Sequence, residues 1–179
     1  MSSLLHTLFG AARERQGRPH ADTETVRKIV ARLEAMPPDR ARYVAAFAFI
    51  LARVANADLE ITDDETRGME RIVTDYGGLP EEQAVLAVHL AKTQQTLFGG
   101  TENFLVTREF SEIASREQKE QLLHSLFAVA AADGSISLAE ENEITRIAEE
   151  LGVERHELLD IRSGYNDKRA ILQNLPKAP

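Results

Sequence analysis

ANADLEITDDETRGMERI (55–72) and AAADGSISLAEENEITRI (130–147) align without gaps at an offset of 75 residues. Ala55 matches Ala130, Ala57 matches Ala132, Asp58 matches Asp133 and Ile61 matches Ile136. Thr62 with Ser137, Glu65 with Glu140, Met69 with Ile144, Arg71 with Arg146 and Ile72 with Ile147 extend the match. The shared pattern is A-x-A-D-x-x-I-[ST]-x-x-E-x-x-x-[MI]-x-R-I. Each copy follows an apolar helical stretch and precedes a helical pattern that ends on glycine. The reading is a duplicated helix–loop–helix whose copies are related by a pseudo-twofold.

Most of this pattern has a structural role. Thr62-x-x-Glu65 and Ser137-x-x-Glu140 are capping boxes, in which a hydroxyl and a carboxylate satisfy the first free N–H groups of a helix. Ile61 and Ile136 supply an apolar plug beneath the loop, and the alanines allow two helices to approach closely. Asp58 and Asp133 are harder to place. Each follows the C-terminal end of a helix, where the macrodipole disfavours a carboxylate by about 0.3–1 kcal/mol. Two readings remain open. Either the aspartate accepts hydrogen bonds from loop N–H groups in an Asx-turn, or it holds a divalent cation together with Glu65 or Glu140, seven residues on. A standard EF-hand is excluded: with Glu140 at position twelve, positions one and three fall on Val129 and Ala131, and in the first copy on Val54 and Asn56, a poor set of ligands.

Working outward, helix signals recur along the chain. Val26, Ile29, Val30 and Leu33 repeat at helical spacing between Asp22 and Met36, where Pro37-Pro38 stop them. Asp39 is placed to cap the apolar stretch Tyr43–Ala52, read as the buried central helix. Pro80-Glu81-Glu82 open another helix, with Leu86, Leu90 and Leu97 on its inner face. Phe104–Ile113 form a short one. Ser115-x-x-Gln118 is a third capping box, ahead of Leu122, Leu123, Leu126 and Phe127. Residues 154–162 and Asp167–Leu175 complete the series. No β-branched run alternates with period two. The fold class is therefore all-α, a single bundle of about seven to eight helices. An N-terminal arm covers residues 1–20 and the domain residues 21–179, with repeat cores at 40–76 and 115–151.

Composition narrows the function. The chain has 179 residues, 43% hydrophobic, and no cysteine, which removes disulfides, thiolate metal sites and thiol redox chemistry. It also fits a reducing, cytoplasmic location. A net charge of -8 argues against nucleic acid, since a duplex contact needs a basic surface. The charge is unevenly spread. Residues 1–53 carry nine Lys/Arg against five Asp/Glu, whereas residues 54–179 carry twelve against twenty-four. The longest apolar run, Tyr43–Ala52, is too short to span a bilayer. Residues 1–18, with Leu4, Leu5, Leu8 and Phe9 ahead of Arg13, Arg15 and Arg18, have the composition for membrane-surface contact or for a docked terminus. The five histidines show neither H-E-x-x-H nor the paired Glu-x-x-His of a di-iron bundle, and no nucleophile elbow or phosphate loop is present. The expected role is non-enzymatic.

The phrases AAADGSISLAEENEI and ANADLEITDDE, set among helices, resemble the tellurite-resistance TerB family, whose hallmark A-x-A-D-G-x-I-x-x-x-E turn occurs twice. Similar domains stand at the head of membrane-anchored DnaJ-like co-chaperones. The resemblance covers roughly residues 40–162. It implies a single all-helical bundle with acidic turn residues gathered on one side, and a metal-sensing or scaffolding role in a bacterial stress response without catalysis. Carried over by position, Asp58, Glu65, Asp133 and Glu140 are the metal-site residues, with calcium or magnesium as the cation and an unknown protein as partner. Leu59, in place of the family's glycine, is the departure. The alternative is a purely structural bundle whose function lies in protein or membrane contacts of the basic N-terminal arm.

Overall fold

The computed structural model describes residues 20–55, 63–94 and 101–173. Among them nine helices follow one another: α1 (His20–Glu34), α2 (Pro38–Ala55), α3 (Asp63–Gly77), α4 (Glu81–Gln94), α5 (Thr101–Ile113), α6 (Arg116–Ala130), α7 (Leu138–Leu151), α8 (Arg155–Ser163) and α9 (Ala170–Gln173). One isolated bridge, Ile136 with Arg169, is the only β-type pairing among the described residues. The all-α class expected from the sequence is the class observed.

The bundle is built around α2. Every residue from Tyr43 to Ala52 is buried, so this helix has no solvent face and needs neighbours on all sides. It packs against α1, α4, α5, α6 and α7. Tyr43, Phe47 and Phe110 form an aromatic knot with ring centroids 5.2–6.3 Å apart. The repeat copies, α2–α3 and α6–α7, meet crosswise. The first helix of each lies against the second of the other, α2 on α7 and α6 on α3, as a twofold duplication requires.

Local punctuation explains the boundaries. Ser115 Oγ accepts from Gln118 N at 3.2 Å while Gln118 Oε1 accepts from Ser115 N at 2.8 Å, closing the capping box of α6. Ser137 and Glu140 repeat this geometry at α7. At the far end of α7 the Leu151 carbonyl accepts from Ser111 Oγ and Lys119 Nζ, a cation where the helix dipole favours one.

Several expectations are corrected in detail. Asp39 does not precede its helix but lies within the first turn of α2, because Pro38, lacking an N–H, fits the first helical position better. The last helix starts at Ala170 rather than Asp167, with residues 164–168 in turns, and its expected end at Leu175 lies outside the described residues. Ala130 is buried as a close-approach alanine should be, but Ala132 is exposed. Thr62 and Leu97 lie outside the described residues, as does the arm at 1–19.

Candidate functional site: the second repeat turn

The turn between α6 and α7 contains the second copy of the shared pattern. Past Ala131, which caps α6, Asp133 Oδ1 accepts a hydrogen bond from Ser135 N at 3.0 Å. This is an Asx-turn, and it uses one carboxylate oxygen. Gly134 has φ +99, a backbone conformation that costs a side-chain-bearing residue energy. Leu59 occupies the equivalent place in the first copy, so that copy does not share the glycine solution. Ile136 is fully buried and serves as the plug. Glu140 Oε2 accepts from Ser137 N at 2.8 Å.

Asp133 and Glu140 therefore flank one turn, each held by the turn's own backbone N–H, and the second oxygen of each makes no hydrogen bond to a described residue. Asp58 lies outside the described residues. Glu65 sits in the first turn of α3, and its side chain is also outside the described set. Among the described residues no group of three or more His, Asp or Glu converges as a metal-ligand set.

Two ion clusters escaped the sequence reading. Arg53 follows the apolar run of α2 and its side chain is 4% exposed. It donates to Glu143 at 2.8 Å, to Glu150 at 2.7 and 3.3 Å, and to Thr107 Oγ1 at 2.6 Å. Burial pulls the Arg53 pKa down, but hydrogen bonds and charge from Glu150 and Glu143 outweigh it, so the guanidinium is held above its ordinary value. The available signal was Glu143 and Glu150, seven residues apart and hence on one face of α7. The second cluster centres on Glu141, whose side chain is 9% exposed. Arg169 grips it bidentately at 2.9 and 2.6 Å, and Arg162 adds a third bond at 3.1 Å.

His124 and an open groove offer little chemistry. His124 is half-buried, and burial lowers its pKa against a raising influence from Glu120. An open groove of about 580 Å³ is lined by Pro37, Asp39, Arg40, Tyr43, Ile113 and Gln118. It lies toward the start of α6, whereas the Asp133 turn follows the end of that helix, about 22 Å away along the helix axis. In it Arg40 donates to Gln83 and lies 4.9 Å over the Tyr43 ring. Burial pushes the Tyr43 phenol up to about 12, with Arg40 pulling the other way, so it stays protonated at neutral pH.

Fold and turn together define an all-helical protein whose second repeat copy carries an acidic turn. A family model described as tellurite resistance protein TerB matches residues 43–163, well over half of the chain, and the chain belongs to the TerB family. No curated protein and no solved structure matches it. Among the described residues, no helix is long and apolar enough to cross a membrane.

Proposed function

We propose that this TerB-family chain is a non-enzymatic binding module, working in the cytoplasm within a bacterial stress response of the tellurite-resistance type. The observation that carries the reading is the second turn, where Asp133 and Glu140 are fixed by Ser135 N–H and Ser137 N–H. Carboxylates already fixed by their own backbone lose less freedom when they meet a cationic ligand. The buried guanidinium of Arg53 is committed to Glu143 and Glu150 inside the fold.

Two carboxylates are few for calcium, which takes six to eight oxygens. Loop carbonyls and water complete the shell in this reading, with Asp58 and Glu65 of the first turn as further ligands. The expected affinity is on the order of 10⁻⁴–10⁻³ M, that of weak extracellular-type calcium modules. A basic surface of a protein partner competes for the same carboxylates, and cation binding then regulates that contact by neutralising the turn.

The test is a calorimetric titration of EDTA-treated protein with calcium and magnesium, beside Asp133→Asn and Glu140→Gln. Heat that saturates below about 1 mM and is lost in either variant supports the reading. Unchanged binding in both variants moves the site elsewhere, and absence of binding leaves the partner surface as the function to be sought.

A further inference from the structure

The segment at residues 164–173 lies along the second turn without becoming part of the core. Ile136 N–H donates to the Lys168 carbonyl at 2.7 Å, and the Ile136 carbonyl accepts from Ala170 N at 3.0 Å. Arg169 forks onto Glu141, and Gln173 Nε2 donates to the Gly134 carbonyl at 3.3 Å. Tyr165 anchors the start by stacking on Phe127, centroids 5.4 Å apart, and by donating its hydroxyl to the His124 carbonyl. Yet no residue from 164 to 173 is buried, and Ile171 is 52% exposed. A segment tied by directional polar bonds, with little apolar burial, opens at far lower cost than the helices beneath it.

From this juxtaposition we propose that the outer edge of the second turn is a docking site for an arginine-bearing segment of a protein partner that bridges Ile136 through its backbone, a place the chain's own residues 164–173 occupy in cis. What the site offers is specific. The N–H and C=O of one residue, Ile136, which the resident segment bonds through Lys168 and Ala170, are the pair an added strand uses. A largely buried carboxylate, Glu141, reads an arginine through two parallel bonds, a geometry that lysine cannot reproduce. Leu138, 58% exposed two residues beyond Ile136, adds an apolar contact.

The first copy differs at the position that reads the arginine. Its counterpart of Glu141 is Thr66, which brings no carboxylate and whose Oγ1 accepts from Lys92 Nζ at 3.1 Å. The negative balance of residues 54–179 favours approach of a basic segment. The proposal rests on the binding-module reading and names the partner chemistry for the edge of that turn.

The probe is a fluorescent peptide of residues 164–173, GYNDKRAILQ, titrated by anisotropy onto the full chain. Arg169→Ala, which loosens the resident segment, is expected to bind it at least tenfold more tightly than the unmutated chain. Changing the peptide's own arginine to alanine, or adding Glu141→Gln to the protein, is expected to remove that gain. Hydrogen exchange guards against misfolding: the Ile136 and Ala170 amides should exchange at least tenfold faster in Arg169→Ala, with α6 amides unchanged. Equal binding by all variants, no binding by Arg169→Ala, or Ile136 exchange as slow as the core in both chains overturns the proposal. So does a concentration-dependent dimer of the unmutated chain that Glu141→Gln abolishes, since the segment would then exchange between copies. Cation binding that depends on Asp133 and survives these failures would leave the binding-module reading standing.

Discussion

The two repeat copies share a sequence pattern but are fastened into the bundle differently. In the second, α7 places Glu143 and Glu150 on Arg53 of the central helix and Glu141 on Arg162 and Arg169. At the equivalent places in the first, α3 has Gly68, Asp75 and Thr66. It settles instead by close approach: a Cβ on Gly77 would meet Phe47 Cζ at 2.9 Å and Ser125 Oγ at 3.1 Å. The positions common to both copies build the turn and its caps. The positions where they diverge place the buried Arg53 and Glu141 clusters on the second copy, and among the described residues the second turn carries a covering segment.

The largest effect that tests this contrast is expected from Arg53→Ala. Removing the guanidinium leaves two glutamates facing a buried site without their cation, and the loss should approach about 3 kcal/mol. Asp75→Asn, at the counterpart of Glu150, should stay within about 0.5 kcal/mol. Urea denaturation of both variants measures the pair, and equal losses would break the contrast.

Next in size is the core. Ile147 is fully buried whereas its partner by repeat, Ile72, is only half-buried. Ile147→Ala should cost about 3 kcal/mol and Ile72→Ala about 1 kcal/mol, read from the same denaturation curves. The glycines at the ends of α3 and α7 should then show similar losses for different reasons. Gly77→Ala overpacks against Phe47 and is expected to cost about 1–3 kcal/mol. Gly152→Ala meets open space but must adopt φ +70, at about 1 kcal/mol. Replacing Phe47 by leucine should relieve the first and leave the second untouched.

The smallest expected effect is a pH dependence. Position 124 is histidine where the first copy has Phe49, and burial holds the His124 pKa below 6.5 in the native chain. The unfolded chain therefore binds that proton more readily than the folded one. Stability should be complete above about pH 6.5 and decline as pH falls through the lowered native value. His124→Gln should make melting temperature less sensitive to pH in that window, and an unchanged slope would contradict the assignment.

Much of this architecture was legible in the sequence. Capping boxes and apolar spacing are local signals, so Ser115–Gln118, Ser137–Glu140 and the buried Tyr43–Ala52 stretch were readable without knowing any partner. The repeat, because it recurs, exposed the Asp133 turn. The Arg53 and Glu141 clusters were not readable in the same way. Arg53 and Glu150 are 97 residues apart, and an arginine at a helix end looks solvent-bound until tertiary packing encloses it. The later start of the last helix, at Ala170 rather than Asp167, has a related reason. The backbone there pairs with Ile136 and Arg169 with Glu141, long-range bonds that outweigh the local helical tendency around Asp167.

The central claim is that the second turn is the binding element, and its own amides report on it. Ser135 N–H and Ser137 N–H are bonded to the carboxylates of Asp133 and Glu140, so any ligand that engages those oxygens must alter both amide resonances. Titration of ¹⁵N-labelled, EDTA-treated protein with calcium, followed by two-dimensional NMR, is the direct measurement. The account predicts saturable shifts at Ser135 and Ser137, with α2 unmoved. Shifts confined to residues 58–65, or none at these two serines through millimolar calcium, would contradict it.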